Sequence, residues 1–186
     1  MKKTSIGTWA YNVGPYGESP IPFDTVGKTL SELKFDGLEL GGFNGYPNPG
    51  NHPEKEHRDG LKEKMTNWGL SFSGFAQDLW SEQLLNTDDQ SKYISAFKSN
   101  VDFAVDLGIK GVRVDCVQPP TIHAEADFDI LFNRLTKTWD TCINYAADKG
   151  IYVTWEFEPG FAFNKPSLVL KVLDKLQHDN FGLMYD

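Results

Sequence analysis

Short β-rich runs alternate with longer stretches of helical period along the whole chain, and this alternation limits the fold more than any other feature. The β-rich runs cover residues 5–11, 37–41, 70–75, 111–115, 152–158 and 181–186. Between them lie five amphipathic segments with apolar residues at i, i+3 and i+4 spacing. They carry Val26, Leu30 and Leu33; then Leu61, Met65 and Trp68; then Phe97, Val101, Ala104 and Val105. The fourth carries Phe128, Leu131, Leu135, Trp139, Cys142 and Ala146, and the fifth Val169, Val172, Leu173 and Leu176. Gly69, Gly108 and Gly150 sit where helices should stop, and Pro166, after Asn164, suits a first helical position. Strand starts recur at roughly 30–40 residues, one βαβ unit each. No linker or low-complexity tract interrupts the pattern, so we expect one domain over residues 1–186, built on a parallel sheet.

With 186 residues the chain has enough material for one core and too little for two comfortable domains. Its 26 Asp and Glu outnumber 18 Lys and Arg, for a net charge of −8. That balance argues against binding to nucleic-acid backbones or to an anionic membrane surface. No run approaches the roughly 20 apolar residues of a membrane span. Lys2 and Lys3 resemble the start of a secretory signal, but the stretch from Ile6 to Asn12 is too polar to continue one. Cys116 and Cys142 do not make a disulfide framework, and a reducing, cytoplasmic setting is expected.

Two parallel architectures compete, an open doubly wound sheet and a (β/α)8 barrel. The segment from Trp9 to Gly17 lacks the glycine pattern of a dinucleotide-binding turn. A sheet covered by helices on both faces also needs nearly continuous apolar strands. These strands are half polar. Side chains alternate faces, so Leu38 and Leu40 oppose Glu39, and Val112 and Val114 oppose Arg113 and Asp115. Val153, Trp155 and Phe157 likewise oppose Thr154, Glu156 and Glu158, while Asp186 shares its side with Met184. This pattern suits a barrel whose interior opens into a wet mouth at the C-terminal ends of its strands. Glu39, Asp115, Glu156, Glu158 and Asp186 would then converge. One strand-end carboxylate is ordinarily a cap or an ion-pair partner. Several together repel one another and need protons or cations. Arg113 offsets part of that charge, and a divalent metal with a taste for oxygen, Mg2+ or Mn2+, would offset more.

Four segments carry a resemblance: Phe35-Asp36-Gly37-Leu38-Glu39-Leu40, Leu70-Ser71-Phe72-Ser73-Gly74, Trp155-Glu156-Phe157-Glu158-Pro159 and Gly182-Leu183-Met184-Tyr185-Asp186. Their order and spacing resemble the xylose-isomerase-like TIM barrel superfamily, which holds sugar isomerases and epimerases, endonuclease IV-type enzymes and inosose dehydratases. The resemblance runs over the whole chain. It implies that Glu158, at the end of strand five, is a metal ligand and that Asp186, ending strand six, is a second. A His after strand six and a Glu on strand eight would complete such a site beyond residue 186. The fold class implied is therefore an α/β (β/α)8 barrel, incomplete in this chain, with six strands where closure takes eight. We expect a homo-oligomer, or a barrel completed by further polypeptide.

The resemblance also implies a divalent-metal-dependent sugar isomerase or epimerase that abstracts a proton alpha to a carbonyl, through an ene-diolate. The metal expected is Mn2+ or Mg2+, with Co2+ or Zn2+ as alternatives. Glu158 would be ligand and acid/base. Glu156, His123, Asp115, Arg113 and Trp9 are candidate substrate contacts; Glu156 serves equally as an ion-pair partner of Arg113. Trp9, Tyr11, Phe43 and Trp80 would either stack on a sugar or pack. His52 and His57 read as surface, His178 as a helix C-terminal cap, and no pattern marks Cys116 as a nucleophile. A dehydratase or lyase of keto-sugars or keto-glycosides could use the same site. An abasic-site endonuclease fits four histidines and an acidic chain poorly, and a non-catalytic sugar-binding subunit is the remaining reading. The partner expected is a small sugar or keto-sugar.

Overall fold

The computed structural model describes residues 2–119, 121, 122 and 127–185. The strands are β1 (Ser5–Gly7), β2 (Gly37–Gly41), β3 (Ser71–Ala76), β4 (Gly111–Val114), β5 (Tyr152–Glu156) and β6 (Phe181–Met184). They pair in sequence order in one six-stranded parallel sheet. The intervening helices among the described residues are α1 (Phe23–Glu32), α2 (Lys55–Trp68), α3 (Ser91–Leu107), α4 (Phe128–Asp148) and α5 (Pro166–Lys175). None of them is long and apolar enough to cross a membrane. Contacts divide the chain into two compact units, residues 1–78 with 100–112, and residues 79–99 with 113 onward.

In the first unit, Leu38 and Leu40 are fully buried, as the alternation of β2 requires, and Glu39 between them is half-buried. The strands run in register from Ser5 opposite Gly37, with a bulge after Leu38 that sets Glu39 opposite Gly74. Phe23 of α1 meets Trp68 of α2 at 5.9 Å, and Gly27 lets that indole come against the α1 backbone. Gly69 takes φ 68° just past α2, a left-handed conformation that a side chain would strain. Leu33 and Val105, expected in the core, are 64% and 40% exposed. Leu33 lies past the last turn of α1, where the helical period no longer sets its direction.

The first strand is shorter than the sequence suggests. After Gly7 the chain turns into a 3-10 helix, Thr8–Tyr11. Thr8 causes the change: its Oγ donates to the Glu39 carbonyl at 3.0 Å and accepts from the Gly41 amide at 2.8 Å. The side chain thus takes the ladder bonds that a continuing strand would have made. The turn lies so close that a Cβ on Gly41 would stand 2.8 Å from the Trp9 amide nitrogen. Gly41→Ala is therefore expected to cost about 1–3 kcal/mol in urea unfolding, because backbone has to move. An unchanged midpoint would show that the turn yields freely.

In the second unit the core forms between α4 and the apolar faces of β5 and β6. Trp139 stands edge-on to Trp155 at 5.2 Å and to Phe181 at 6.2 Å, and its indole N–H donates to the Tyr93 hydroxyl at 3.1 Å. α4 begins at Asp127, whose carboxylate accepts from the Asp129 amide. β5 ends at Glu156 and not at Glu158. Pro159 has no amide to donate, the Phe161 amide turns back to the Glu158 carbonyl, and the Ala162 amide bonds the Cys116 carbonyl at 3.0 Å. β6 ends at Met184, two residues short of the expected boundary.

Candidate functional site

The face of the second unit opposite Trp139 is where the polar residues of β4 and β5 meet. Val153 and Trp155 are spent on the core, so alternation turns Glu156 the other way. Arg113 of β4 lies there too. Its Nη1 reaches Glu156 Oε2 at 2.8 Å and its Nε lies 3.7 Å from Asp115 Oδ1, with all three side chains only 6–7% exposed. Asp115 also accepts from the indole N–H of Trp80 at 3.4 Å. Glu158 follows β5, is exposed, and shares a side-chain hydrogen bond with Glu156. The result is a chain of contacts from Trp80 through Asp115, Arg113 and Glu156 to Glu158.

The electrostatics follow from burial and charge. Burial pushes the Glu156 carboxyl up, Arg113 pulls it down, and Asp115 and Glu158 push it up again. The balance leaves it raised to about 7, with Arg113 the one group here that draws it down. Burial raises the Cys116 thiol far above its ordinary value, and Asp115 adds to the effect. The thiol stays protonated, neither nucleophile nor ligand.

The other sequence candidates fall into place unevenly. Trp9 lies in the first unit, half-buried, with its indole N–H donating to Glu39 Oε2 at 2.9 Å. Its ring sits over Gly7, where no Cβ would fit. Phe43 is packed at 4% exposure, and Tyr11 lines a small apolar hollow with Ile21 and Leu33. His57 is exposed, whereas His52 is half-buried, 6.0 Å from His57 between ring centres; burial first, and then His57, lowers its pKa. His178 does not cap α5. It follows the helix and sets Nε2 2.9 Å from Asp140 of α4. His123 and Asp186 lie outside the described residues.

Two features were missed by sequence reasoning. Phe163, in the loop after Glu158, holds φ 58° and is fully buried, 5.8 Å from Phe128 and 6.4 Å from Phe132. An aromatic residue in the left-handed region is strained, and its burial holds the loop that bears Glu158. The second is Arg134 of α4, which donates to the Leu85 carbonyl at 2.7 Å and pairs with Asp88. It fixes the loop carrying Trp80. Neither has a local sequence signal, because both depend on partners far along the chain.

Among the described residues, no group of three or more His, Cys, Asp or Glu stands together to hold a metal ion. Of the carboxylates at this face Glu158 is exposed, while Asp115 and Glu156 are nearly covered; carboxylate oxygens are the donor type that hard divalent cations take. Glu156 is engaged by Arg113, and Glu158 is the exposed carboxylate of the group.

Parallel strands alternate with helices, and Asp115 and Glu158 stand just past β4 and β5, at the strand ends where β/α barrels carry their sites. A family model for xylose isomerase-like TIM barrels matches residues 28–186, and the chain belongs to that family. No curated protein matches it. Among solved structures it is similar to the probable 3-DHS dehydratase AsbF of Bacillus anthracis, with TM-score 0.75, 16% identity, 98% of this chain and 62% of that one. A xylose isomerase-like TIM barrel protein of Mycobacterium smegmatis, in complex with magnesium, gives TM-score 0.73 at 15% identity, over 99% of this chain and 64% of that one. D-psicose 3-epimerase of Clostridium cellulolyticum, with D-tagatose, gives TM-score 0.71 at 15% identity, over 98% and 63%. At such identities the likeness is one of fold. The chain spans under two thirds of these structures, so the barrel is incomplete in it, with six strands among the described residues.

Proposed function

We propose that this protein is a divalent-metal-dependent sugar isomerase or epimerase, moving a proton at the carbon alpha to a carbonyl. The observation that carries the reading is the linked group of Arg113, Asp115, Glu156 and Glu158 at the strand ends, beside a likeness in fold to solved structures that include an epimerase. Glu158 and Asp186 would hold the cation, Mn2+ or Mg2+ first, Co2+ or Zn2+ next. Such a cation supplies Lewis-acid polarisation of the substrate's oxygens. Glu158 would take the alpha proton; an isomerase would return it at the neighbouring carbon, and an epimerase would take a proton from a second acid on the opposite face of the same carbon. Arg113 holds Glu156 in place beside Glu158 and tempers the repulsion between the acids. Asp115, Trp9 and His123 are proposed substrate contacts, with His123 a candidate for proton transfer. The proposed partner is a small sugar or keto-sugar, with no nucleic acid or membrane. The proposed setting is the cytoplasm, as a homo-oligomer or with further polypeptide completing the barrel.

A second reading keeps the site and changes the outcome. Once the alpha proton has gone, a leaving group beta to the carbonyl can depart, giving a dehydratase or lyase. The likeness to a probable dehydratase supports it. Incubation with a ketohexose, an inosose and a 3-keto-glucoside under Mn2+ separates the two by product. Epimer or aldose is expected for the first reading, and an unsaturated ketone for the second. Chelation should abolish either conversion and Mn2+ restore it. Conversion that survives chelation, or no conversion of any of the three, would sink the metal-dependent reading.

A further inference from the structure

The asparagine-rich loop after β2 holds His52 in a single tautomer. The Asn51 side chain is oriented by its own bonds: Nδ2 donates to the Gly45 carbonyl at 3.1 Å and to the Tyr46 carbonyl at 2.9 Å, and Oδ1 accepts from the Asn48 amide at 2.9 Å. The same Oδ1 stands 2.6 Å from His52 Nδ1. A carbonyl oxygen only accepts, so Nδ1 carries the proton and the neutral ring keeps its lone pair on Nε2. Among the described residues that Nε2 has no hydrogen-bond partner, and neither has the ring of His57. The backbone of His52 is fixed as well, because its carbonyl accepts from Arg58 Nη1 at 3.0 Å and Arg58 Nε pairs with Asp106 at 2.9 Å. The two imidazoles lie 6.0 Å apart between ring centres, 75° from coplanar. Both line a hollow of about 410 Å3 between α1, α2 and the loop after β2, with Phe23, Pro47 and Leu61 as its apolar wall.

We propose that this hollow binds a transition-metal ion of the kind that prefers imidazole, Cu2+ or Zn2+, through His52 Nε2 and a ring nitrogen of His57. A metal stands about 2.0–2.1 Å from each ligating nitrogen, which puts the centres of two rings on one ion roughly 5–6 Å apart. The separation found here therefore asks for little movement. The Asn51 carbonyl is the outer partner that such a ligand needs, since it fixes the ring and makes the opposite nitrogen more basic. Asp24, which also lines the hollow, is engaged by Lys64 at 2.8 Å. The protein thus supplies two nitrogens, and water or a small anion fills the remaining positions. Two imidazoles favour Cu2+ and Zn2+, whereas carboxylates such as Glu158 favour Mn2+ and Mg2+, so the two places select different metals. The inference does not depend on the sugar chemistry proposed above.

The test titrates Cu2+ into the metal-stripped protein, with calorimetry for affinity and stoichiometry and electron paramagnetic resonance for the ligands. One tight equivalent is expected, with hyperfine structure from two imidazole nitrogens. His57→Asn removes one ligand at an exposed position, so the metal-free melting temperature should hold while Cu2+ affinity falls by about tenfold or more. Asn51→Ala, which touches no metal, should weaken binding by about tenfold and shift the His52 proton from Nδ1 toward Nε2 in the imidazole nitrogen resonances. Glu158→Gln and excess Mg2+ should leave the Cu2+ site as it is, and His178→Asn serves as the control for an ordinary histidine. Binding unchanged in His57→Asn, or weakened as much in His178→Asn, would mean an adventitious ion only and overturn the site. Loss of the Cu2+ signal in Glu158→Gln, a single coordinated nitrogen, or a wild-type His52 protonated at Nε2 would overturn it too.

Discussion

Glu158→Gln is expected to lower kcat/KM by about a thousandfold or more, within the range that general acid–base catalysis supplies. The substitution keeps size and hydrogen-bonding shape but removes the charge that both ligation and proton abstraction need. It should therefore also lower the Mn2+ content of the purified protein, measured by elemental analysis. The loop should remain in place, since Phe163 is buried against Phe128 and Phe132 and the Ala162 amide still bonds Cys116. Glu156→Gln makes the contrast. Glu156 is buried and paired with Arg113, so its loss should leave turnover within about tenfold of wild type. A Glu158→Gln protein that keeps both its metal and its rate would remove Glu158 from the site and the proposed chemistry with it.

Arg113→Met is expected to be the most destabilising single change in the second unit, by about 3–5 kcal/mol at pH 8 in the metal-free protein. The guanidinium stands between Glu156 and Asp115, all three nearly inaccessible to water. Removing it leaves buried carboxylates facing one another without compensation. The cost should depend on pH in a definite direction. Glu156 titrates at about 7 in the fold against an ordinary value near 4.5, so the folded state holds this proton more tightly than the unfolded chain. Its contribution to stability is then fully present below about pH 4.5 and declines as pH rises toward about 7. Without Arg113 that decline steepens, because the one cation drawing the carboxyl down has gone. Urea unfolding should thus show a smaller penalty for Arg113→Met at pH 5 than at pH 8. An equal penalty at both would mean that lost packing of the arginine stem, and not charge, accounts for it.

Much of this was legible in the sequence because its signals are local. The period of two in β2 and β5 separated Leu38 and Leu40 from Glu39, and Val153 and Trp155 from Glu156; burial follows that division in β2, whereas Glu156 is buried as well, against Arg113. Glycines at helix ends and Pro166 at a helix start marked boundaries that stand where expected. The errors came where a distant partner took over a local preference. Residues 8–11 have a strand's composition, yet the Thr8 hydroxyl captures the ladder bonds of Glu39 and Gly41 and the chain turns. His178 looked like a cap and instead found Asp140.

By itself the sequence determined the order of strands and helices and the side on which the residues of β2 and β5 face, since periodicity is a property of neighbours in the chain. Only the tertiary structure decided which acid Arg113 holds, that Trp80 reaches Asp115, and that Phe163 is forced into a left-handed turn beneath the loop of Glu158. Those contacts depend on the register between strands and on where loops are tethered, and such distances are set by packing, which no local spacing encodes.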